Sequence, residues 1–298
     1  MTRYGKMTRR TLLRQGAAAL GAWGLAGARG TGHGHWLAAQ TAGPKLKGRI
    51  KQSVARWCYR NIELDTLARE SAAMGLKGID LLNPEECKVV KKYGLICTML
   101  LPGGGTIPDG LNRKENHEKI EKEMRERIPV CAELGVPNII TFSGNRRGLP
   151  DAEGLENCVI GLNRVKAVAE KHNVTICLEI LNSKVNHKDY QFDHTPWGAE
   201  VVKRVSSPRV RLLYDIYHAQ IMEGDVIRTI KDNIQWIAHF HTGGVPGRNE
   251  IDDTQELYWP AIMRAIAETG FTGYVAHEFV PQRDPLKSLR EAVQICDV

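Results

Sequence analysis

From about residue 50 onward, short runs of β-branched and other apolar residues alternate with longer charged stretches in which apolar side chains recur at helical spacing. The runs near 51–58, 78–82, 95–101, 138–143, 174–181, 210–215, 236–241 and 273–280 predict eight strands. Between them the pattern predicts helices, for example over 63–74, 113–134, 155–172, 197–206, 223–233 and 256–269. In the first of these, Ile62, Leu64, Leu67 and Ala68 fall on one face. Pro129 interrupts the 113–134 pattern; an interior proline removes a hydrogen bond and crowds the preceding turn, so that helix is expected in two pieces. Eight βα units in roughly 240 residues predict an α/β fold, a parallel sheet closed into a single (β/α)8 TIM barrel over residues 45–298. A doubly wound sheet would carry a glycine-rich phosphate turn after its first strand, and none follows 51–58. Gly103-Gly104-Gly105 comes after the third strand, lacks the Lys-Ser/Thr of a P-loop, and reads as a flexible loop beside the active site.

Charge changes the picture only at the N-terminus. The 298 residues carry a formal net charge of +7, but residues 1–40 hold Arg3, Lys6, Arg9, Arg10, Arg14 and Arg29 and no acid. The remainder has 35 basic against 34 acidic residues, a net of +1 with both signs interspersed, which gives no general electrostatic reason to expect nucleic acid as a partner. Thr8-Arg9-Arg10-Thr11-Leu12-Leu13-Arg14 is followed by an Ala/Gly-rich apolar run from Ala17 to Ala28. This resembles a twin-arginine signal, so residues 1–40 are expected to be a signal peptide and short linker. The expectation carries with it the Tat export machinery as a partner, a periplasmic or otherwise exported destination, and no stable membrane anchor, because the apolar run is too short to span a bilayer. Seven cysteines stand singly with no C-x-x-C pair, which excludes a readable zinc knuckle or thioredoxin-like motif. Cys97 and Cys177 fall inside apolar strand runs and are expected to behave as small buried hydrophobes.

Candidate chemistry sits at the C-terminal ends of four successive predicted strands. These are Glu179 in Ile176-Cys-Leu-Glu, Asp215 in Leu212-Leu-Tyr-Asp, His241 in His239-Phe-His, and Glu278 in Val275-Ala-His-Glu. Barrel enzymes build their sites at that rim. The separations of 36, 26 and 37 residues are each near one βα repeat, so the four side chains should return to a common point. A lone strand-end acid is as often the partner of a nearby base, but four in consecutive strands, with no matching set of buried lysines, require a cation. Three carboxylates and an imidazole suit one hard divalent ion: Mn²⁺ or Mg²⁺ first, with Co²⁺ or Zn²⁺ also compatible. Trp57 and Trp197 are candidate pocket walls, and His187 and His194 lie in the long loop after the fifth strand.

The stretches Leu181-Asn-Ser-Lys-Val-Asn-His-Lys-Asp-Tyr, Tyr214-Asp-Ile-Tyr-His-Ala-Gln-Ile-Met-Glu-Gly-Asp and Gly244-Val-Pro-Gly-Arg-Asn-Glu resemble the hydroxypyruvate isomerase family of the xylose-isomerase-like barrel superfamily. The resemblance runs from about residue 50 to the C-terminus, and the Asp-Ile-Tyr-His-x-Gln-x-Met-Glu-Gly block is its most specific part. It implies that Glu179, Asp215, His241 and Glu278 bind the metal, that Glu179 and Glu278 form the catalytic acid/base pair, and that His218 and Arg248 contact substrate. It also implies a small carbohydrate or hydroxy-keto-acid substrate, isomerised by proton transfer through an enediolate, and a homo-oligomer. One departure bears on substrate: members proper tend to carry glutamine where this chain has His241, whereas the related ketose epimerases carry histidine. A sugar 3-epimerase, an inosose dehydratase and an enzyme of keto-sugars therefore stay open as alternatives on the same metal site. An endonuclease IV-like nuclease and a non-catalytic sugar-binding protein are the rivals from other classes.

Overall fold

Runs such as Ile176-Cys-Leu and Leu212-Leu-Tyr, apolar at consecutive positions, fit strands covered on both faces. In the computed structural model, which describes residues 45–298, the eight runs become β1 (Lys51–Ala55), β2 (Gly78–Leu82), β3 (Ile96–Leu100), β4 (Asn138–Thr141), β5 (Thr175–Glu179), β6 (Val210–Asp215), β7 (Ile237–Thr242) and β8 (Tyr274–His277). All pair in parallel and in sequence order, and β8 returns to β1, with Ser53 opposite Ala276, so the sheet closes as expected into an eight-stranded barrel. The helices are α1 (Leu64–Met74), α2 (Pro84–Lys91), α3 (His117–Leu134), α4 (Asp151–His172), α5 (Thr195–Val205), α6 (Ile216–Met222), α7 (Val226–Asn233), α8 (Trp259–Glu268) and α9 (Pro285–Ile295). Their buried faces pack on the strands; Leu67, Ile128, Leu162, Val202, Ile266 and Leu289 are all at most 1% exposed. Each such side chain contributes about 1.5–3 kcal/mol on burial.

Several boundaries differ from the sequence expectation, each for a local reason. The first strand stops at Ala55, and Arg56–Tyr59 turn as a short 3-10 helix that swings Trp57 over the barrel mouth. Pro129 does not divide the third helix: α3 runs unbroken through it. The carbonyl that a residue 129 N–H would have bonded belongs to Arg125, an exposed position where water can satisfy it. Residues 223–233, expected as one helix, hold only α7, which starts at Val226; α6 has already ended at Met222, and Gly224 and Asp225, with left-handed φ of +66° and +42°, separate the two. Helix α2 follows a capping box in which the Asn83 side chain accepts from Glu86 N and the Glu86 side chain accepts from Asn83 N, with Pro84 at the first turn.

The glycine-rich loop is packed rather than loose. Gly104 has φ +84°, and a Cβ there would lie 2.7 Å from Cα of Ile120 on α3, so the loop lies against that helix with no room for a side chain. All seven cysteines are free thiols, and Cys97 and Cys177 are buried in β3 and β5 as expected. The signal expected over residues 1–40 lies outside the described residues. Among the described residues no helix is long and apolar enough to cross a membrane.

Candidate metal centre

Glu179 ends β5, Asp215 ends β6, His241 is the penultimate residue of β7, and Glu278 directly follows β8. Asp215 and His241 are register partners on neighbouring strands. All four are buried, and each offers one donor atom within 4.8 Å of those of the others, so the convergence expected from their spacing is realised. Around His241 Nδ1 the distances are 2.5 Å to Glu278 Oε2, 3.3 Å to Glu179 Oε1 and 3.9 Å to Asp215 Oδ2. That Nδ1 atom is fully buried and makes no properly directed hydrogen bond, an orphan such as a metal ligand would be. The donor set therefore fits a hard divalent cation.

Each carboxylate keeps one oxygen for the centre and commits the other elsewhere, or leaves it free. Asp215 caps α6: its Oδ1 accepts from Tyr217 N at 2.9 Å and His218 N at 3.4 Å, which leaves Oδ2 facing inward. Glu278 Oε1 accepts from the indole Nε1–H of Trp57, which leaves Oε2. Glu179 has no such anchor. Burial, and then the charges of Glu278 and Asp215, push it up to about 7 against the pull of His241. Burial would raise Glu278 as well, but His241 and then Arg248 hold it well below the usual carboxylate range. Burial likewise raises Asp215, partly offset by Arg248. His241, which burial would lower, is held well above its ordinary value chiefly by the Glu278 charge and by bonds to its carboxylate neighbours.

Among the described residues no lysine is buried, as expected, but an arginine answers two of these acids. Arg248, in the loop after β7 with φ +59°, donates from Nη2 to Asp215 Oδ2 at 2.6 Å and to Glu278 Oε2. Its guanidinium lies 4.8 Å from the Tyr217 ring centroid and 5.8 Å from that of Trp57. Arg248 and the protonated His241 still leave one carboxylate charge unmatched when Glu179 is ionised. His218, at the start of α6, reaches the same place. Its Nδ1 receives Asn182 N at 3.1 Å and Asn182 Nδ2 at 2.6 Å. The Asn182 amide cannot be turned around, because its Oδ1 already accepts from Val185 N and Asn186 N. So Nδ1 is the acceptor and Nε2 carries the proton, yet Nε2 sits 2.6 Å from Nη1 of Arg248. Burial first, and then Arg248, keep the ring neutral. Two donors thus face one another, an arrangement that an oxygen placed between them would relieve.

A cavity of about 480 Å³ opens beside Glu179 and Glu278 of this centre, with Trp57, Asn186, His187, His218 and Arg248 also in its lining. Leu81, Leu101, Ile107, Ile140 and Phe142 add apolar surface to it. Trp57 and His187 line it, whereas Trp197 stacks on Phe192 and donates to Asp151 O, and His194 pairs with Asp193, so neither reaches the pocket. Sequence reasoning missed Asn182 as the residue that orients His218, and it missed Asp80. Asp80 is wholly buried on β2, where its Oδ2 lies 2.7 Å from Nε2 of His239 and 3.0 Å from Nε2 of His241. An acid inside the apolar run Gly78-Ile-Asp-Leu-Leu was the available signal.

Comparison with known proteins agrees with the fold. The human protein named "Putative hydroxypyruvate isomerase" is 28% identical over 242 residues, covering 78% of this chain and 80% of that protein. The 2-oxo-tetronate isomerase of Cupriavidus necator is 30% identical over 128 residues, covering 43% of this chain and 47% of that protein, so the match spans about half of that relative. The crystal structure of AP endonuclease, family 2, from Brucella melitensis superposes with a TM-score of 0.71 at 21% identity, over 80% of this chain and 97% of that one, a likeness of fold alone. A family model described as xylose isomerase-like TIM barrel matches residues 68–297, and the chain belongs to that family.

Proposed function

We propose that the protein is a divalent-metal-dependent isomerase of small hydroxy-carbonyl compounds that moves a proton between adjacent carbons through an enediolate. The observation that carries this reading is the meeting of three carboxylates and the unpaired Nδ1 of His241 within 4.8 Å at the C-terminal rim of the barrel. Glu179, Asp215, His241 and Glu278 would hold the ion. When bound, the ion supplies Lewis-acid polarisation of a substrate hydroxyl and carbonyl, which acidifies the carbon-bound proton between them.

The residues of the chain do the rest. Glu179, the carboxylate without an anchoring donor and poised near neutrality, takes the proton from the hydroxyl-bearing carbon and returns it to the neighbouring one, while the hydroxyl proton passes to the former carbonyl oxygen. Glu278, kept ionised and tied to Trp57, faces it as the second member of the pair. His218 donates Nε2–H to a substrate oxygen, and Arg248 turns from the carboxylates toward the same oxygen or toward a carboxylate group. A keto-acid substrate is supported by that guanidinium and by the relatives' names. A second reading, a longer ketose or keto-sugar, is favoured by the cavity: about 480 Å³ corresponds to roughly sixteen water volumes of ~30 Å³ each, more than a three-carbon acid fills.

Exchange of substrate protons in heavy water tests the proposal, with Mn²⁺ or Mg²⁺ present and hydroxypyruvate run beside ketoses and keto-glycosides. Deuterium entering at a carbon next to a carbonyl is expected, lost in Glu179→Gln; a folded, metal-loaded protein that exchanges no substrate on the panel would sink it. For residues 1–40 we propose export by the twin-arginine pathway, supported by the Arg9-Arg10 pair ahead of the apolar Ala17–Ala28 run.

A further inference from the structure

One layer beneath the rim, the barrel holds a buried carboxylate that no step above uses. Asp80 Oδ1 accepts from Ser53 Oγ at 3.3 Å and from Thr98 Oγ1, while Oδ2 faces Nε2 of both His239 and His241, at 2.7 and 3.0 Å. Ser53, Asp80, Thr98, His239 and His241 are all fully buried, so no water substitutes for any of these bonds. An ionised carboxylate has only lone pairs to offer, so each imidazole must present a proton on Nε2. For His241 this leaves Nδ1 to provide a lone pair, and Nδ1 is the atom that Glu179, Asp215 and Glu278 surround.

We propose that Asp80 is a positioning residue: it fixes the proton of His241 on Nε2 and the ring plane with it, so that Nδ1 is aimed at the cation and metal affinity is set from one layer below the ligands. An outer carboxylate of this kind both orients a histidine ligand and strengthens its donation. His239, two residues earlier on β7, shares the face of His241, and its edge-on packing at 5.3 Å steadies the pair. Asp80, His239 and His241 also form a cluster that could itself take a metal. The hydrogen-bond reading is preferred because Asp80 already has four donors, and none of these three residues lines the cavity through which an ion would enter, whereas Glu179 and Glu278 of the centre above do. The inference rests on His241 being a metal ligand, and its test separates the two claims.

Nitrogen NMR of histidine-labelled protein, metal-free and Mg²⁺-saturated, should show His241 with an exchange-protected proton on Nε2 in both states. Mn²⁺ calorimetry should give one ion per chain. Asp80→Asn keeps an acceptor oxygen and should bind within about threefold of the parent, whereas Asp80→Leu should bind about 10–100-fold more weakly and lose the protected Nε2 proton. A bare Nε2 in the parent protein overturns the proposal. So does a folded Asp80→Leu protein with parent-like affinity, or a second ion per chain that the leucine variant loses. If the leucine variant does not fold, the parent spectrum alone decides. A parent protein that binds no Mn²⁺ yet keeps the Nε2 proton would refute the metal reading and the affinity claim together, while the orientation of His241 would stand.

Discussion

Glu179 and Glu278 share one pocket, and their surroundings push them in opposite directions. Burial dominates at Glu179, whose side chain has no anchoring hydrogen bond and only the nearby His241 ring to offset it, while His241, Arg248 and Trp57 overcome burial at Glu278. Separation of two carboxylates in this way is what the proposed roles require, one group to move protons and the other to stay charged. Glu179→Gln is therefore expected to cost about 10²–10⁴-fold in kcat, the usual worth of a positioned acid/base group, with the protein still folded and still binding metal more weakly. Metal affinity should depend on pH with a definite sign. Below about pH 7 Glu179 holds a proton, and His241, raised well above its ordinary value, holds another, and both must leave before these atoms can donate. Calorimetry should find affinity rising with pH, by more than tenfold per unit below pH 7 and by about tenfold just above it, where only the His241 proton remains. At Arg248, whose charge is buried and reinforced by Asp215 and Glu278, replacement by lysine loses the planar fork. A KM raised at least about tenfold, with a smaller change in kcat, is the expected result. At this scale the four candidate ligand positions were legible because each acid or imidazole closes an apolar strand run. The roles of Asp80 and Asn182 were not, because an isolated Asp or Asn carries no mark of the ring nitrogen it faces.

Among the elements, the βα units place the chemistry and the loops shape the pocket. Asp215 shows the coupling: one residue ends β6, caps α6 and turns its second oxygen toward His241 and Arg248 in the candidate metal centre. The loop after β3 presents Leu101 and Ile107 to the cavity and is pinned by Gly104 against Ile120. Gly104→Ala would meet that backbone atom at 2.7 Å in a left-handed conformation. A loss of about 1–3 kcal/mol is expected, read as a lower Tm, together with a weaker grip on substrate as the apolar wall shifts. Strand and helix existence was readable from periodicity, since residues buried by the same neighbour recur with the period of the element. The breaks were less so. Pro129 looks like a helix end by its own chemistry, and only the exposure of Arg125 explains why α3 continues. The division between α6 and α7 depends on two residues adopting φ > 0, which aspartate does without announcing it.

For the whole molecule, three buried acids facing Arg248 and the proton of His241 make an apparatus that a divalent cation should tighten once that proton leaves. With Mn²⁺ at a hundredfold excess over its Kd, the native state should gain about 2.7 kcal/mol, seen as a Tm roughly 5–10 °C higher than after chelation; equal values would remove the metal from the account. Full-length protein with both Arg9 and Arg10 replaced by lysine should stay inside the cell, while the parent appears outside the inner membrane; an unchanged distribution would discard the export proposal. By itself the sequence determined that eight strands alternate with helices and that four potential ligands stand at matching strand ends, because periodicity and spacing are properties of the chain read in order. Only the tertiary structure decided which atoms of those ligands face one another, that Arg248 and Trp57 bind two of the acids, and that Asp80 holds His241 from below. Such pairings join residues up to 221 positions apart, and barrel closure, rather than any local pattern, brings them within hydrogen-bonding reach.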